Sequence, residues 1–101
     1  MTTKEIQKRI YDNKVKHDFN LTDINQEFCY LYGEVGEAYE AWSREKGKDE
    51  LGLELADVAI YLLGLAEILG YDLGEEIEKK MVINAKRVYR KGARTSIKTS
   101  V

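Results

Sequence analysis

Apolar residues recur at helical spacing along most of this chain, in four segments separated by short polar breaks. The pattern predicts helices over about residues 3–17, 23–46, 50–69 and 73–90. No alternation of apolar and polar residues marks a strand, and the predicted connections are short. We therefore expect an all-α protein, a four-helix bundle in which neighbouring helices are mostly antiparallel.

Residues that stop or start helices stand at most of the predicted ends. Ser, Thr, Asp and Asn side chains accept hydrogen bonds from the free N–H groups of a first helical turn, and glycine favours the residue after a last turn. The expected N-terminal caps are Thr2, Thr22 or Asp23, and Asp72, and the expected C-terminal glycines are Gly70 and Gly92.

The third predicted helix is apolar on almost all sides, whereas the other three carry an apolar stripe. A helix that is apolar all round is buried on most sides. In so short a chain this predicts either the centre of a bundle or a subunit interface. Gly64, in its middle, costs about 1 kcal/mol of helix propensity, and we expect close packing of another helix to offset that cost.

Two pairs of carboxylates stand at helical spacing, Glu34 with Glu37 and Glu54 with Asp57. Side chains three residues apart share a helix face, so the four acids converge if the second and third helices pack face to face. Four buried carboxylates cannot all stay ionised without a compensating charge. A hard divalent cation is the usual partner of such oxygen ligands, and the spacing therefore predicts a metal site.

The second acid pair is the more informative one. Pairs such as Glu34 and Glu37 are common on solvated helix surfaces, whereas Glu54 and Asp57 stand among apolar residues. A carboxylate pair in such surroundings needs a partner, either a metal ion or an Arg or Lys side chain. Tyr61 extends the stripe of Glu54 and Asp57, and could belong to the core or contact a phosphate.

The charge is distributed unevenly along the chain. Residues 1–78 hold 18 acidic and 8 basic side chains, a net charge of −10, and residues 79–101 hold 8 basic and no acidic ones, a net charge of +8. Lys80, Asn84 and Arg87 form one stripe on the fourth helix. The basic segment is either a solvated face followed by a tail, or a surface that binds an anion such as a polyphosphate beside the metal.

Other features of the composition exclude several classes of function. The longest strongly apolar run, about residues 58–69, is too short to span a membrane, and no signal-peptide core is evident, so we expect a cytoplasmic protein. Cys29 is the one cysteine, which leaves no disulfide framework. No Ser/His/Asp set is present, and His17 lacks the Glu-x-x-His spacing of iron-handling bundles. The acidic first 78 residues argue against nucleic-acid binding.

This combination of motifs resembles the MazG-like all-α nucleoside triphosphate pyrophosphohydrolases, a group with dCTP pyrophosphatase and dimeric dUTPase relatives. Three stretches carry the resemblance: G-E-V-G-E-A at 33–38, E-L-A-D-V-A-I-Y-L-L at 54–63 and K-M-x-x-N-x-x-R at 80–87. It covers about residues 5–90. Gly33 departs from the pattern, because many members have an acid directly before the first motif glutamate, and the number of metal ions therefore stays open.

The resemblance implies Mg²⁺-dependent hydrolysis of a (deoxy)nucleoside triphosphate to the monophosphate and pyrophosphate, with Mn²⁺ as a substitute. It implies that four acids hold the metal, that two of them are catalytic, with Glu37 positioning or deprotonating the water, and that aromatic residues hold the base. The implied metal ligands are Glu34, Glu37, Glu54 and Asp57, the catalytic residues Glu37 and Glu54, the phosphate or sugar contacts Tyr61, Lys80, Asn84 and Arg87, and the base contacts His17, Phe19 and Trp42.

The resemblance also bears on domain organisation and assembly. It implies a helical domain over residues 1–92, followed by a basic tail over 93–101. Members form homodimers or homotetramers through the central helices, which agrees with the apolar third helix. The alternative function is a non-catalytic helical module that binds nucleotides and regulates another process.

Overall fold

The computed structural model describes residues 1–90 and 93–95 of the chain, and the side chains of residues 1–87. Four helices form the body of the protein, and two short antiparallel strands follow them. The all-α four-helix fold predicted from the sequence is confirmed. The elements are α1 (Thr3–Lys16), α2 (Ile24–Ser43), α3 (Lys48–Leu69), α4 (Leu73–Ala85), β1 (Val88–Arg90) and β2 (Ala93–Thr95).

Three helix ends differ from the predicted ones. α2 ends at Ser43 rather than at about residue 46, because the chain turns at Glu45 with a φ of 52°. α3 begins at Lys48 instead of residue 50, directly after Gly47 with a φ of 103°.

α4 is also shorter than predicted, and it ends at Ala85 instead of about residue 90. Residues 88–90 include a β-branched and an aromatic side chain, which favour strands, and they pair with residues 93–95. The predicted stop at Gly92 lies outside the described residues. The hairpin crosses the predicted boundary between the helical domain and the basic tail.

Local hydrogen bonds explain where the helices begin and end. Thr2 and Glu5 form a full capping box, in which each side chain accepts a hydrogen bond from the other residue's backbone N–H, at 3.1 and 3.0 Å. Asp23 and Asp72 cap α2 and α4 by accepting from the backbone three residues on. Gly70 ends α3 in the left-handed region with a φ of 85°.

α3 packs against both α2 and α1, whereas α4 packs against α1. The fully buried apolar core of the described chain is small, and alanines on α2 let that helix approach α3 closely. The core residues are Ala38, Ala41, Leu65 and Ala66. This packing brings the acid-bearing face of α2 against that of α3.

The close packing expected at Gly64 is present. A Cβ atom at this position would lie 3.0 Å from Cγ2 of Ile10 and 3.9 Å from Cδ of Lys14. A side chain at residue 64 would require Ile10 to shift by a few tenths of an ångström. The glycine therefore lets α1 and α3 pack closely at this point.

Large apolar side chains of α2, α3 and α4 remain exposed in the single chain. Leu53 is 70% exposed and Trp42 is 63% exposed, and Phe28 and Cys29 are also exposed rather than buried in the core. The burial predicted for α3 on most sides is therefore not reached within one chain. In the part of the chain that the structure describes, no helix has the length and hydropathy needed to cross a bilayer.

Candidate active site

Three of the four predicted metal-binding acids come together where α2 packs on α3. A carboxylate oxygen from each of Glu34, Glu54 and Asp57 lies within 4.8 Å of the other two. Glu34 comes from α2, and Glu54 and Asp57 stand on successive turns of α3. We call these three side chains the acid cluster. The two halves of the predicted motif thus meet across a helix–helix contact.

Among the described residues, no ion pair joins the acid cluster to a basic side chain. Oε2 of Glu34 and Oε2 of Glu54 are buried, and neither has a hydrogen-bond partner within the described residues. Burial raises the pKa of Glu34, and the neighbouring Glu37 carboxyl raises it further, followed by the charges of Asp57 and Glu54. Buried polar atoms without a partner are rare, and converging carboxylate oxygens are the ligands of hard divalent cations. These residues therefore fit a divalent metal ion.

Glu37, the fourth predicted acid, stands at the edge of the acid cluster. Its side chain is exposed, whereas Glu34 and Glu54 are half-buried. Its carboxyl group is near enough to Glu34 to raise the pKa of that residue. Glu37 is thus open to solvent beside the acid cluster.

Tyr61 lies one turn after Asp57 on α3 and is half-buried. Burial raises the pKa of the Tyr61 hydroxyl, and the negative charge of Glu34 raises it further, followed by that of Glu27. The phenol therefore stays protonated at neutral pH and can donate a hydrogen bond to an anionic oxygen. Its predicted role as a phosphate contact is compatible with this position.

Tyr61 also lines a cavity of 380 Å³ between α1 and α3. The lining is mostly apolar, and a few polar side chains face the cavity, as is usual for small-molecule sites of this size. Besides burial, the negative charges of Glu34 and Asp57 raise the pKa of Tyr61, which places the Tyr61 end of the cavity near the acid cluster. Its lining includes Ile6, Ile10, Phe19 and Ile60, together with Arg9 and Asn13.

The predicted cationic stripe lies only partly on α4, because Lys80 and Asn84 stand on this helix whereas Arg87 follows its end at Ala85. α4 packs on α1, and among the described residues no hydrogen bond or ion pair links Lys80, Asn84 or Arg87 to the acids. Lys80 is exposed, whereas Asn84 and Arg87 are half-buried. Oδ1 of Asn84 and Nε of Arg87 are buried without a hydrogen-bond partner in the described part, so both retain free bonding capacity.

The three aromatic candidates for base binding occupy different places. Phe19 lines the cavity beside Tyr61. His17 is exposed at the end of α1 and stacks on Phe19 with a ring-centroid distance of 5.5 Å. Trp42 lines a separate hollow at the turn between α2 and α3, with Gly47. Of these three aromatic residues, only Phe19 lines the cavity within one chain.

One buried ion pair near the site was missed by the sequence analysis. Nζ of Lys14 lies 2.6 Å from Oε1 of Glu27, and the two side chains are almost fully buried. Gln7, Ile10 and Lys14 recur at helical spacing on the inner face of α1, but two of the three are polar, so a hydrophobic pattern does not reveal that face. Glu27 is neutralised by Lys14 and stands outside the acid cluster.

Comparison with protein families matches residues 20–99 to the MazG-like family. The match covers more than half of the chain, and the protein therefore belongs to this family, which includes nucleoside triphosphate pyrophosphohydrolases. The resemblance seen in the motifs is confirmed. Comparisons with curated proteins and with solved structures give no significant match. The matched segment contains α2, α3 and α4, and hence the acid cluster, Glu37 and the α4 stripe.

Proposed function

We propose that this protein hydrolyses a (deoxy)nucleoside triphosphate to the monophosphate and pyrophosphate with Mg²⁺ as its cofactor, and that Mn²⁺ can substitute. The observation that carries the proposal is the acid cluster, in which two carboxylate oxygens are buried without a hydrogen-bond partner among the described residues, near a mostly apolar cavity of 380 Å³. Membership of the MazG-like family supports the same reaction. The biological role would be the removal of unwanted or excess nucleotides.

The acids divide into metal-holding and water-activating groups. Glu34, Glu54 and Asp57 would hold the ion, and Mg²⁺, when bound, would supply Lewis-acid stabilisation of phosphate oxygens. Glu37 stands beside them and is exposed to solvent, so it is the candidate to orient a water molecule and accept its proton, with Glu54 as a second catalytic acid. The water oxygen attacks the α-phosphorus, the bond to the bridging oxygen breaks, and pyrophosphate leaves with that electron pair.

The cavity is the proposed site of the nucleoside. The ring of Phe19 offers a stacking surface for a base, and such stacking is worth about 1–3 kcal/mol. Arg9 and Asn13 present groups that can hydrogen-bond to the edge of the base. His17 supports this wall from outside by stacking on Phe19. Tyr61 would then meet the sugar or the first phosphate, between the base and the metal.

We also propose that the protein assembles as a homodimer or homotetramer. Large apolar side chains of α2 and α3 are exposed, Leu53 by 70% and Trp42 by 63%, and contiguous exposed apolar patches mark interaction surfaces. Association through these helices would bury that surface. It could also bring Lys80, Asn84 and Arg87, or Trp42, from one subunit to the acids of another, which would complete the phosphate and base contacts.

The decisive experiment is a panel of ribo- and deoxynucleoside triphosphates, with pyrophosphate release measured with Mg²⁺, with Mn²⁺ and with a chelator. We expect metal-dependent release of pyrophosphate, and of the monophosphate in equal amount, from at least one member. The alternative, a non-catalytic regulatory module, predicts nucleotide binding by calorimetry without any pyrophosphate. A folded sample that turns over no nucleotide would overturn the hydrolase proposal.

A further inference from the structure

Lys14 contacts two other helices from a single buried position. It belongs to α1, its ammonium nitrogen lies 2.6 Å from Oε1 of Glu27 on α2, and the same nitrogen lies 5.8 Å from the ring centroid of Tyr61 on α3. Lys14 is 8% exposed and Glu27 is 1% exposed. Lysine is almost never buried to this extent unless it is paired, and Glu27 is its partner.

The other oxygen of Glu27 is tied to the loop that follows α1. Asn20 donates a hydrogen bond of 2.9 Å from Nδ2 to Oε2 of Glu27, and its Oδ1 accepts one of 3.0 Å from the backbone N–H of Asp23. Asn20 directly follows Phe19, which lines the cavity. The ion pair is therefore linked to one wall of the cavity through the loop.

The ring of Tyr61 is held from two sides. The Lys14 ammonium lies over the ring, and Tyr30 of α2 packs against it edge-on, with centroids 5.9 Å apart and an interplanar angle of 63°. A cation over an aromatic face is attracted to it, more strongly where water is excluded. Gly64, one turn after Tyr61, leaves room for the stem of Lys14, whose Cδ passes nearby.

We propose that Lys14 is a positioning residue for the candidate active site: paired with Glu27, its ammonium fixes the Tyr61 ring where the acid cluster meets the cavity. The clause about the active site rests on the proposed function, whereas the control of the Tyr61 ring does not. The contrasting role for the pair is to hold α1 and α2 together, with no effect on Tyr61.

The test removes both charges at once, in a Lys14→Met, Glu27→Gln double variant. Replacing Lys14 alone would leave Glu27 buried and unpaired, which is strongly destabilising, whereas the double variant keeps similar side-chain volumes. Two readouts are compared with wild type. They are the nuclear Overhauser contact between the Tyr61 and Tyr30 rings in ¹³C-tyrosine-labelled protein, and KM for the triphosphate turned over fastest in the panel.

We expect the double variant to stay folded, to weaken the Tyr61–Tyr30 contact and to raise KM on the order of tenfold, the size that corresponds to one lost cation–π contact. In a Tyr61→Leu background the same double change should add no further rise in KM. A Lys8→Met, Asp12→Asn variant is the matched control, because it removes an exposed Lys–Asp pair from the same helix.

An unchanged ring contact and an unchanged KM would overturn the proposal and leave the pair a purely structural role. An equal rise in KM in the Tyr61→Leu background would also overturn it, because Lys14 would then not act through Tyr61. If the wild-type protein hydrolyses no nucleotide, the proposed function fails, and the ring contact alone still decides whether Lys14 positions Tyr61.

Discussion

Nε2 of Gln7 donates a hydrogen bond of 2.8 Å to the backbone carbonyl of Tyr71, and a second one of 3.1 Å to the Glu67 carboxylate. The Oε1 atom of the same side chain accepts a hydrogen bond of 2.8 Å from the backbone N–H of Leu73. Gln7 is fully buried. One amide on α1 thus fastens the turn between α3 and α4, and with it the start of the helix that carries the cationic stripe.

A Gln7→Leu variant should therefore be destabilised. The partly buried backbone groups at Tyr71 and Leu73 would lose their hydrogen-bond partners, and we expect a loss of about 1–3 kcal/mol in the free energy of unfolding. Urea unfolding measures it, as a lower midpoint with an unchanged slope. Gln26→Leu, at an exposed position of α2, is the control and should stay within about 0.5 kcal/mol of wild type. Equal midpoints for the two variants would contradict the bonding described for Gln7.

Glu54 is the acid whose loss should be most damaging to catalysis. A Glu54→Gln variant removes one charge from the acid cluster, and we expect pyrophosphate release to fall by about two orders of magnitude with an unchanged helical circular dichroism spectrum. Glu50→Gln is the matched control on the same stripe of α3, since Glu50 makes only a surface pair with Lys46 at 3.7 Å. Full activity in the Glu54 variant would exclude the acid cluster as the metal site.

The raised pKa of Glu34 predicts how stability depends on pH and metal. Its pKa lies above the ordinary value of 4.5 in the folded protein, so the folded state binds this proton more tightly than the unfolded state. The stabilisation is fully present below about pH 4.5 and is lost as pH rises through the folded pKa. At pH 7 without metal, Glu34→Gln should therefore raise Tm.

Added Mg²⁺ should stabilise the folded protein only when the Glu34 carboxylate is present. At 100 times its Kd, a bound ion stabilises the folded state by about 2.7 kcal/mol, and we expect this gain in wild type but not in Glu34→Gln. Thermal unfolding at pH 5 and pH 7, with Mg²⁺ or with a chelator, measures both effects. A lower Tm for the metal-free variant at pH 7 would show that Glu34 has a counter-charge that the structure does not supply.

We expect the Arg87 side chain to increase the affinity for the triphosphate substrate. Its buried Nε has no hydrogen-bond partner among the described residues, and guanidinium groups bind phosphate oxygens strongly. We expect Arg87→Ala to raise KM on the order of tenfold, with a smaller change in kcat. Lys79→Ala is the control, because Lys79 is exposed and pairs with Glu76 at 3.0 Å. An Arg87 variant with wild-type KM would remove this residue from the site.

The exposed apolar surface predicts self-association. Leu53 is 70% exposed on α3, and a Leu53→Glu substitution would place a charge in any interface built through this helix, which is costly. We expect sedimentation velocity to show an oligomer for wild type and a smaller species for the variant. Lys16→Glu, on the exposed side of α1, is the control. A monomeric wild type would contradict the proposed assembly, and an unchanged Leu53 variant would exclude this face.

Spacing along the chain determined the features that depend on near neighbours. The Thr2 and Asp72 caps, the left-handed Gly70 and the one-face placement of each acid pair involve residues no more than one turn apart, so their geometry follows from the helix itself. The apolar stripe of α2 and the apolar surface on almost all sides of α3 then predicted that these helices pack together, and this was enough to bring Glu34 toward Glu54.

Only the tertiary structure decided how distant side chains share the interior. Lys14 pairs with Glu27, which lies 13 residues away in the chain, and Glu37 stands at the edge of the acid cluster. Phe19 rather than Trp42 lines the cavity. α4 ends earlier than predicted and is followed by a hairpin. Each of these outcomes depends on the register and separation of helices, or on pairing with a later strand, to within a few ångströms. A pattern of apolar and polar positions specifies which face of a helix turns inward, but it does not specify which side chain meets which across the contact.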